Sequence, residues 1–150
     1  MKLLKKDRLN QMTLRFPSRS TNESFARTAA AAFVAQLDPT VEQVYDIKTA
    51  VSEAVTNAIV HGYRDTVGVI TLTVRLYAPA TAEIIISDKG CGIADVKQAR
   101  EPMFTTGGAE RSGMGFTIME SFMDGLTVRS RPGKGTTVIL RKVLLSRPQA

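Results

Sequence analysis

Three short stretches of the sequence contain the residue types that a nucleotide pocket needs. Residues 53–57 carry a carboxylate and an amide, residues 88–93 carry an aspartate with two glycines, and residues 113–116 carry two more glycines. A carboxylate and an amide suit Mg²⁺ and proton transfer, an aspartate suits a base edge, and a glycine turn suits phosphate. Each stretch is weak alone, but together and in this order they predict a nucleotide-binding site.

Glu53, Asn57 and His61 are spaced four apart, so they lie along one side of a predicted helix. Residues 49–60 contain a single charged residue, Glu53, whereas a helix face open to water usually carries more charge. A ligand or a lid is therefore expected over this face, although a solvated polar face is the alternative. The Asn57 oxygen is a suitable Mg²⁺ ligand, and Glu53 can polarise an attacking hydroxyl. For His61, beside Gly62, a helix C-terminal cap is favoured.

Asp88 follows the apolar run 84–86, so it is expected at the end of a buried strand. Gly90 and Gly92 then allow the backbone to approach a flat ligand closely. An ordinary turn that begins with Asp is the alternative interpretation.

Gly113 and Gly115 stand where a helix is predicted to begin, and a helix N-terminus binds anions. Arg111, just before them, can meet a terminal phosphate, and an ordinary surface Arg at a loop-to-helix junction is the alternative interpretation. Residues 89–112 show little periodicity, and long irregular stretches in compact domains are usually functional lids. The Thr and Gly residues at 105–108 fit lid material, but composition favours a plain solvent loop equally.

The elements that must position these residues follow from periodicity and turn residues. Ser20 or Asn22 is expected to cap the first helix, and Thr40 with Gln43 forms a capping box for the second. In chain order we predict a strand at 12–16, helices at 25–37 and 41–61, strands at 69–76 and 82–88, a helix at 113–123, and a hairpin of strands 125–130 and 135–140. Short turns between strands indicate an α/β (α+β) two-layer sandwich with a mixed, mostly antiparallel sheet and helices on one face.

Composition is that of one ordinary globular domain, with 43% hydrophobic and 23% charged residues. The net charge of +6 lies at the ends: residues 1–11 carry four basic groups and one acid, residues 141–150 carry three and none, and the body is balanced. This distribution argues against direct nucleic-acid binding.

No apolar run could span a membrane, and the single Cys91 fits a reducing, cytoplasmic location and a small filler role. We predict a basic extension at 1–11, a domain at 12–142 and a tail at 143–150.

The motifs resemble those of the GHKL ATPase superfamily. Residues 52–63, 88–93 and 110–120 are similar to its N, G1 and G2 boxes, and the resemblance is closer still to its bacterial anti-sigma-factor serine kinases, in particular the sigma-F group of endospore-forming bacteria. Residues 22–27 also match that group. The resemblance covers about 12–142 and implies the Bergerat ATP-binding fold.

By position, the resemblance assigns the general base to Glu53, the Mg²⁺ ligand to Asn57 and the adenine-amino contact to Asp88. Arg27 matches an arginine that docks partner proteins. The other nucleotide-binding positions that it implies are Gly90, Gly92, Thr105, Thr106, Arg111, Gly113 and Gly115. Lys89 departs from the family, which often has an acid there, and Gly107–Gly108 replaces a more rigid lid segment.

The resemblance implies a homodimeric, ATP- and Mg²⁺-dependent protein serine kinase that is also an anti-sigma factor. It would hold a sporulation sigma factor and phosphorylate a serine of an anti-anti-sigma protein. Three alternatives stay open: a kinase acting on a stress-response sigma factor, a binding module that uses nucleotide only as a switch, and a detached histidine-kinase catalytic domain. Glu53 beside Asn57 counts against the second, and the lack of an upstream phospho-acceptor His segment counts against the third.

Overall fold

The computed structural model describes residues 2–101 and 115–144. Within them, five strands form one sheet with four α-helices. In chain order the elements are β1 (Arg8–Pro17), α1 (Thr21–Val34), α2 (Val41–Asn57), β2 (Val69–Tyr77), β3 (Thr81–Asp88), α3 (Val96–Ala99), α4 (Gly115–Phe122), β4 (Gly125–Arg131) and β5 (Gly135–Val143).

The sheet has the strand order β1-β2-β3-β5-β4, and each neighbouring pair is antiparallel. Alternate residues of the central strands are buried on one face, because strand side chains alternate in direction. Helices α1 and α2 pack against each other, and α2 also packs against α4. The predicted two-layer sandwich, with its largely antiparallel sheet, is therefore confirmed.

The second helix is the centre of the helical layer. Its N-terminus has the predicted capping box, in which the Gln43 N–H donates to Thr40 Oγ1 at 3.1 Å and the Thr40 N–H donates to Gln43 Oε1 at 2.9 Å. The 3–4 spacing of its apolar residues predicts a buried stripe of Val44, Ile47, Val51, Ala54, Val55 and Ala58. The structure buries all of these except Val44, which is half-buried, and it adds Ala50. The helix continues as a π-helical turn at Ala58–Gly62.

The first helix begins differently from the prediction. Ser20 occupies the cap position, but its side chain makes no cap hydrogen bond. Asn22 lies inside the helix and donates from Nδ2 to the Pro17 carbonyl at 3.0 Å. The expected side-chain cap is therefore wrong. Ser20 is at the cap position without a capping bond, and Asn22 is inside the helix with its side chain bonded to Pro17.

Two further elements differ from the predicted ones. Strand β1 begins at Arg8, four residues before the predicted start at Met12, because it pairs with β2 over nearly its whole length. The short helix α3, capped by Asp95 whose Oδ1 accepts from the Gln98 N–H at 3.0 Å, lies in the stretch expected to be irregular. Within the described parts of the chain, no helix combines the length and apolar character needed to cross a membrane.

Candidate nucleotide-binding site

A cavity of about 750 Å³ opens between the end of α2, the end of β3, the β4–β5 turn and the start of α4. It brings together residues from all three chemically suggestive stretches. Glu53, Asn57, Asp88, Gly92 and Gly115 all line it.

Glu53 and Asn57 face the first residue of α4. A Cβ added at Gly115 would lie 3.2 Å from Asn57 Nδ2 and 3.4 Å from Glu53 Oε2. The charge-poor side of α2 is thus covered in part by α4, and other parts of it line the cavity. A larger residue at 115 would press against both polar side chains.

The pKa of Glu53 is raised above its ordinary value of 4.5. Burial is the main cause, because it disfavours the charged form, and the negative charge of Glu23 on α1 adds to it. A carboxylate with a raised pKa is a stronger proton acceptor once it is ionised, which is what a general base requires.

Asp88 is buried, with 7% of its surface exposed. Its Oδ1 accepts from the Gly90 N–H at 2.9 Å, and the Thr136 backbone N–H also donates to the carboxylate. Burial raises the pKa of Asp88 above 3.8, and these two hydrogen bonds oppose the rise. The carboxylate is therefore fixed in place at the wall of the cavity, where a polar ligand edge can reach it.

Gly62 is a site residue that sequence reasoning took only for a helix end. A Cβ added there would lie 2.9 Å from Asp88 Oδ1 and 3.1 Å from Oδ2. The absence of a side chain at this position lets the π-helical turn pack directly on the carboxylate. The motif around His61 and Gly62 gave no indication of this contact, because Asp88 is distant in sequence.

The glycines at 90 and 92 have a packing role that the sequence did not predict. A Cβ at Gly90 would lie 2.1 Å from the Gly62 carbonyl oxygen, and one at Gly92, where φ is +77°, would lie 2.0 Å from the Arg131 carbonyl oxygen. Both glycines are required by close approach of backbone to backbone. Gly92 lines the cavity as well, so it shapes the wall in addition to packing against the hairpin.

Tyr63 anchors this glycine turn. Its hydroxyl donates to the Val69 carbonyl at 2.8 Å and accepts from the Lys89 N–H at 2.7 Å. Tyr63 was not singled out from the sequence, since a lone tyrosine after a helix carries no specific pattern.

Apolar side chains complete the cavity and suit a flat ring. They come from β3, β5, α4 and the segment after Gly92, and sequence reasoning assigned them only to the core or to no role. They include Ile86, Ile93, Phe116 and Val138.

Four of the predicted nucleotide-binding positions are not described, and the predicted role of Cys91 is wrong. Thr105, Thr106, Arg111 and Gly113 lie outside the described residues. Cys91 lines the cavity and is exposed, and its thiol donates to the His61 carbonyl at 2.9 Å, so the filler role is wrong.

Arg27 lies on α1 and is not among the described residues that line the cavity. Its Nη1 is 3.4 Å from Glu23 Oε2, and 38% of its side chain is exposed. It is accessible to a partner.

Asn57 is the candidate metal ligand in the cavity. Within residues 2–101 and 115–144, no group of three or more His, Cys, Asp or Glu side chains could hold a metal. Asn57 offers one amide oxygen, and Mg²⁺ commonly binds few protein groups and takes its other ligands from phosphate and water. The residues present therefore fit a magnesium ion carried by a nucleotide.

Comparison with known proteins identifies the domain and its relatives. Residues 16–142 match the family model described as a histidine kinase-like ATPase domain. The chain is 56% identical over 137 residues to an anti-sigma F factor of Thermoanaerobacter sp., covering 90% of this chain and 94% of the relative. It is 55% identical over 135 residues to the anti-sigma F factor of Geobacillus kaustophilus, covering 89% and 92%.

Among solved structures, one containing the RsbU and RsbW domains of a Mycobacterium tuberculosis protein aligns with a TM-score of 0.65 at 18% identity. The alignment covers 91% of this chain and 32% of that one. At this identity the likeness supports the fold alone. The fold, the ATPase domain and the relatives together confirm the resemblance drawn from the sequence motifs: the chain belongs to the anti-sigma F factor family, within the histidine kinase-like ATPase domains.

Proposed function

We propose that this chain is an ATP- and Mg²⁺-dependent protein serine kinase that also holds a sporulation sigma factor. Its protein substrate would be a serine of an anti-anti-sigma protein. The observation that carries the proposal is the meeting of Glu53, Asn57 and the start of α4 in the same cavity as the buried Asp88.

The two ends of the cavity suit the two ends of ATP. Asp88 would accept a hydrogen bond from the adenine amino group, with the ring between the apolar walls near Ile93 and Val138. The N-terminus of α4, with Gly115, would face the phosphates, because helix N-termini attract anions. Arg111, Thr105, Thr106 and Gly113 are proposed to complete the phosphate end, by the family resemblance.

The chemistry would take place beside α2. Asn57 would hold Mg²⁺, which supplies charge neutralisation for the phosphates. Glu53 would accept the proton of the attacking serine hydroxyl as the oxygen bonds to the γ-phosphorus, while ADP departs. Burial of Glu53 favours this role, since it raises the pKa of the carboxyl group.

Partner binding is proposed to use a different surface. The curated relatives are named anti-sigma F factors, and Arg27 stands accessible on α1. We therefore propose that sigma factor and antagonist compete for the surface around Arg27. A homodimer through the sheet face or edge near β1, and a cytoplasmic location, are also proposed from the family resemblance.

The proposal is tested by incubating the chain with Mg-ATP and the proteins encoded beside it, then mapping phosphate transfer and partner retention. We expect acid-stable phosphoserine on one small partner and retention of a sigma factor until the unphosphorylated partner is added. Acid-labile phosphate would instead indicate a histidine kinase. Sigma retention without any transfer would indicate a nucleotide-switched binding module.

A further inference from the structure

Strand β5 places a lysine in the row of side chains that faces the helices. Val138 and Leu140 of this strand, and Leu144 just after it, are buried in the core, and Lys142 stands in the same alternating row. Only 12% of the Lys142 side chain is exposed. A lysine at such a position is unusual, because burial of a charged group is unfavourable unless the group is paired.

Lys142 has partners on two helices that contribute to the nucleotide cavity. Its Nζ donates to Asp46 Oδ2 on α2 at 3.0 Å, and it also donates to the carbonyl of Phe122, the last residue of α4. The Asp46 side chain is only 15% exposed. The rings of Phe122 and Tyr45 pack edge to face, with their centres 6.1 Å apart. A side chain of the sheet thus ties the end of α4 to the first half of α2.

The other end of α4 lies at the nucleotide cavity. A Cβ added at Gly115, its first residue, would lie 3.2 Å from Asn57 Nδ2 and 3.4 Å from Glu53 Oε2, near the end of α2. Helices α2 and α4 therefore lie side by side in opposite directions and meet at both ends of α4. A helix of this length extends roughly 12 Å, so a shift at Phe122 would be carried to Gly115.

Stability alone does not explain this buried pair. Apolar residues of similar volume are often at least as stabilising as a buried ion pair, because both charges must leave water. What a fully paired buried charge can add is one defined arrangement of the elements that it joins. We propose that Lys142 is a positioning residue, which fixes α4 against α2 and thereby sets the affinity of the site for the phosphate groups of a nucleotide. The inference rests on the proposed nucleotide binding but not on kinase activity.

The test compares Mg-ADP with adenosine, because adenosine carries no phosphate to the cavity wall beside Gly115. Affinities for both ligands are measured by titration of wild type and of the double variant Asp46→Leu with Lys142→Met. The double variant removes both charges and keeps apolar packing, so its melting temperature should stay near that of wild type. We expect it to bind ADP about tenfold more weakly, comparable with loss of one charge-assisted hydrogen bond, with unchanged adenosine affinity.

A milder variant and a control accompany the double variant. Asp46→Asn keeps the shape of the side chain and an acceptor oxygen but removes the charge, so it should show a smaller loss of ADP affinity in the same direction. Val34→Ala creates a cavity in the buried side of α1 and should lower the melting temperature. Because Val34 lies outside the Lys142 cluster, this control should leave the ratio of the ADP and adenosine affinities unchanged.

The ratio of the two affinities separates positioning from stability. A lower ratio in the Asp46 and Lys142 variants, with the wild-type ratio in Val34→Ala, supports the inference. An unchanged ratio in both Asp46 variants, or an equal loss for ADP and adenosine, would overturn the inference and leave the proposed function intact. Failure of wild type to bind Mg-ADP would overturn the proposed function together with the inference.

Discussion

Glu53 and Asp88 are the residues at which function opposes stability. Burial raises the pKa of both carboxyl groups, so ionisation is less favourable in the folded chain than in the unfolded one. Such groups are typical of functional sites. The loss of stability that an ionised carboxylate causes at these positions can be measured.

Glu53→Gln should raise the melting temperature at pH 7 by a few degrees. The folded pKa of Glu53 lies above 4.5, so between 4.5 and the folded value the native state binds more protons than the unfolded state. Stability therefore falls as pH rises through this window, and the deficit persists at higher pH. Glutamine carries no charge, so the variant does not have this loss of stability.

The measurement is a series of thermal melts of wild type and Glu53→Gln from pH 3.5 to 8. The advantage of the variant should disappear below about pH 4.5, where wild-type Glu53 is protonated in both states. Glu101→Gln, an exposed glutamate, is the matched control and should show no such gain. A variant less stable than wild type at pH 7 would contradict the assignment of a desolvated carboxylate.

Asp88 should make the site select adenine over guanine. Its fixed carboxylate can accept a hydrogen bond from the adenine amino group. Guanine has a carbonyl at that position, so the carboxylate would find no hydrogen-bond donor there. We expect ATP to bind about tenfold or more tightly than GTP, because a buried unpaired polar group costs ~1–3 kcal/mol. Calorimetry with both nucleotides tests this, and Asp88→Asn should reduce the preference. Equal affinities in wild type would exclude the base contact.

Gly62→Ala should weaken ATP binding about tenfold, comparable with loss of one hydrogen bond to the base. The added methyl group would lie 2.9 Å from Asp88 Oδ1, so the carboxylate must move. Gly125→Ala is the control, since its Cβ would lie at an ordinary 3.6 Å from Arg141 Cβ. Fluorescent-nucleotide titration of both variants measures the effect, and similar affinities would show that Asp88 tolerates displacement.

At this scale the sequence predicts residue types better than contacts. Glu53, Asn57 and Asp88 could be selected because their spacing or strand position is chemically suggestive. Gly62 and Tyr63 could not, since their partners Asp88 and Lys89 become neighbours only after β2 and β3 have formed the sheet.

At the scale of elements, α2 connects the core to the site. Its capping box fixes where it begins, its apolar stripe fixes which side faces the sheet, and Glu53 and Asn57 follow on the adjoining side. These features are local, so the sequence predicted them. The cap of α1 was predicted wrongly because the Asn22 side chain bonds locally to the Pro17 carbonyl instead. The start of β1 was predicted wrongly because it depends on pairing with β2, which is distant in sequence.

Helix α1 is the element on which we predict partner docking. Arg27→Ala should weaken both sigma-factor and antagonist binding by about 30-fold, corresponding to an interface hot spot of ~2 kcal/mol. ATP affinity and melting temperature should stay unchanged, because the Arg27–Glu23 pair is partly exposed and such pairs contribute little. Titration with each partner and with nucleotide tests this, with Arg129→Ala as control. Retained partner affinity with reduced ATP affinity would instead assign Arg27 to support of the pocket.

At the scale of the whole molecule, the two faces of the sheet differ. The helical face holds the core and the nucleotide cavity. The other face carries a positively charged cavity, in which Arg8, Arg75 and Arg141 lie around Glu83. The fold class could be predicted because strand periodicity and short turns are local features. The positive cavity could not, since its residues come from four strands and the N-terminal segment.

The most direct measurement is the single-turnover rate of phosphoryl transfer from Mg-ATP to the serine of the anti-anti-sigma protein, for wild type and Glu53→Gln. We predict acid-stable phosphoserine with wild type, a rate about 10²–10⁴-fold lower in the variant, the usual reach of general base catalysis, and unchanged ATP affinity. An unchanged rate in the variant, or no transfer by wild type while it binds Mg-ATP and the partner, would contradict the account.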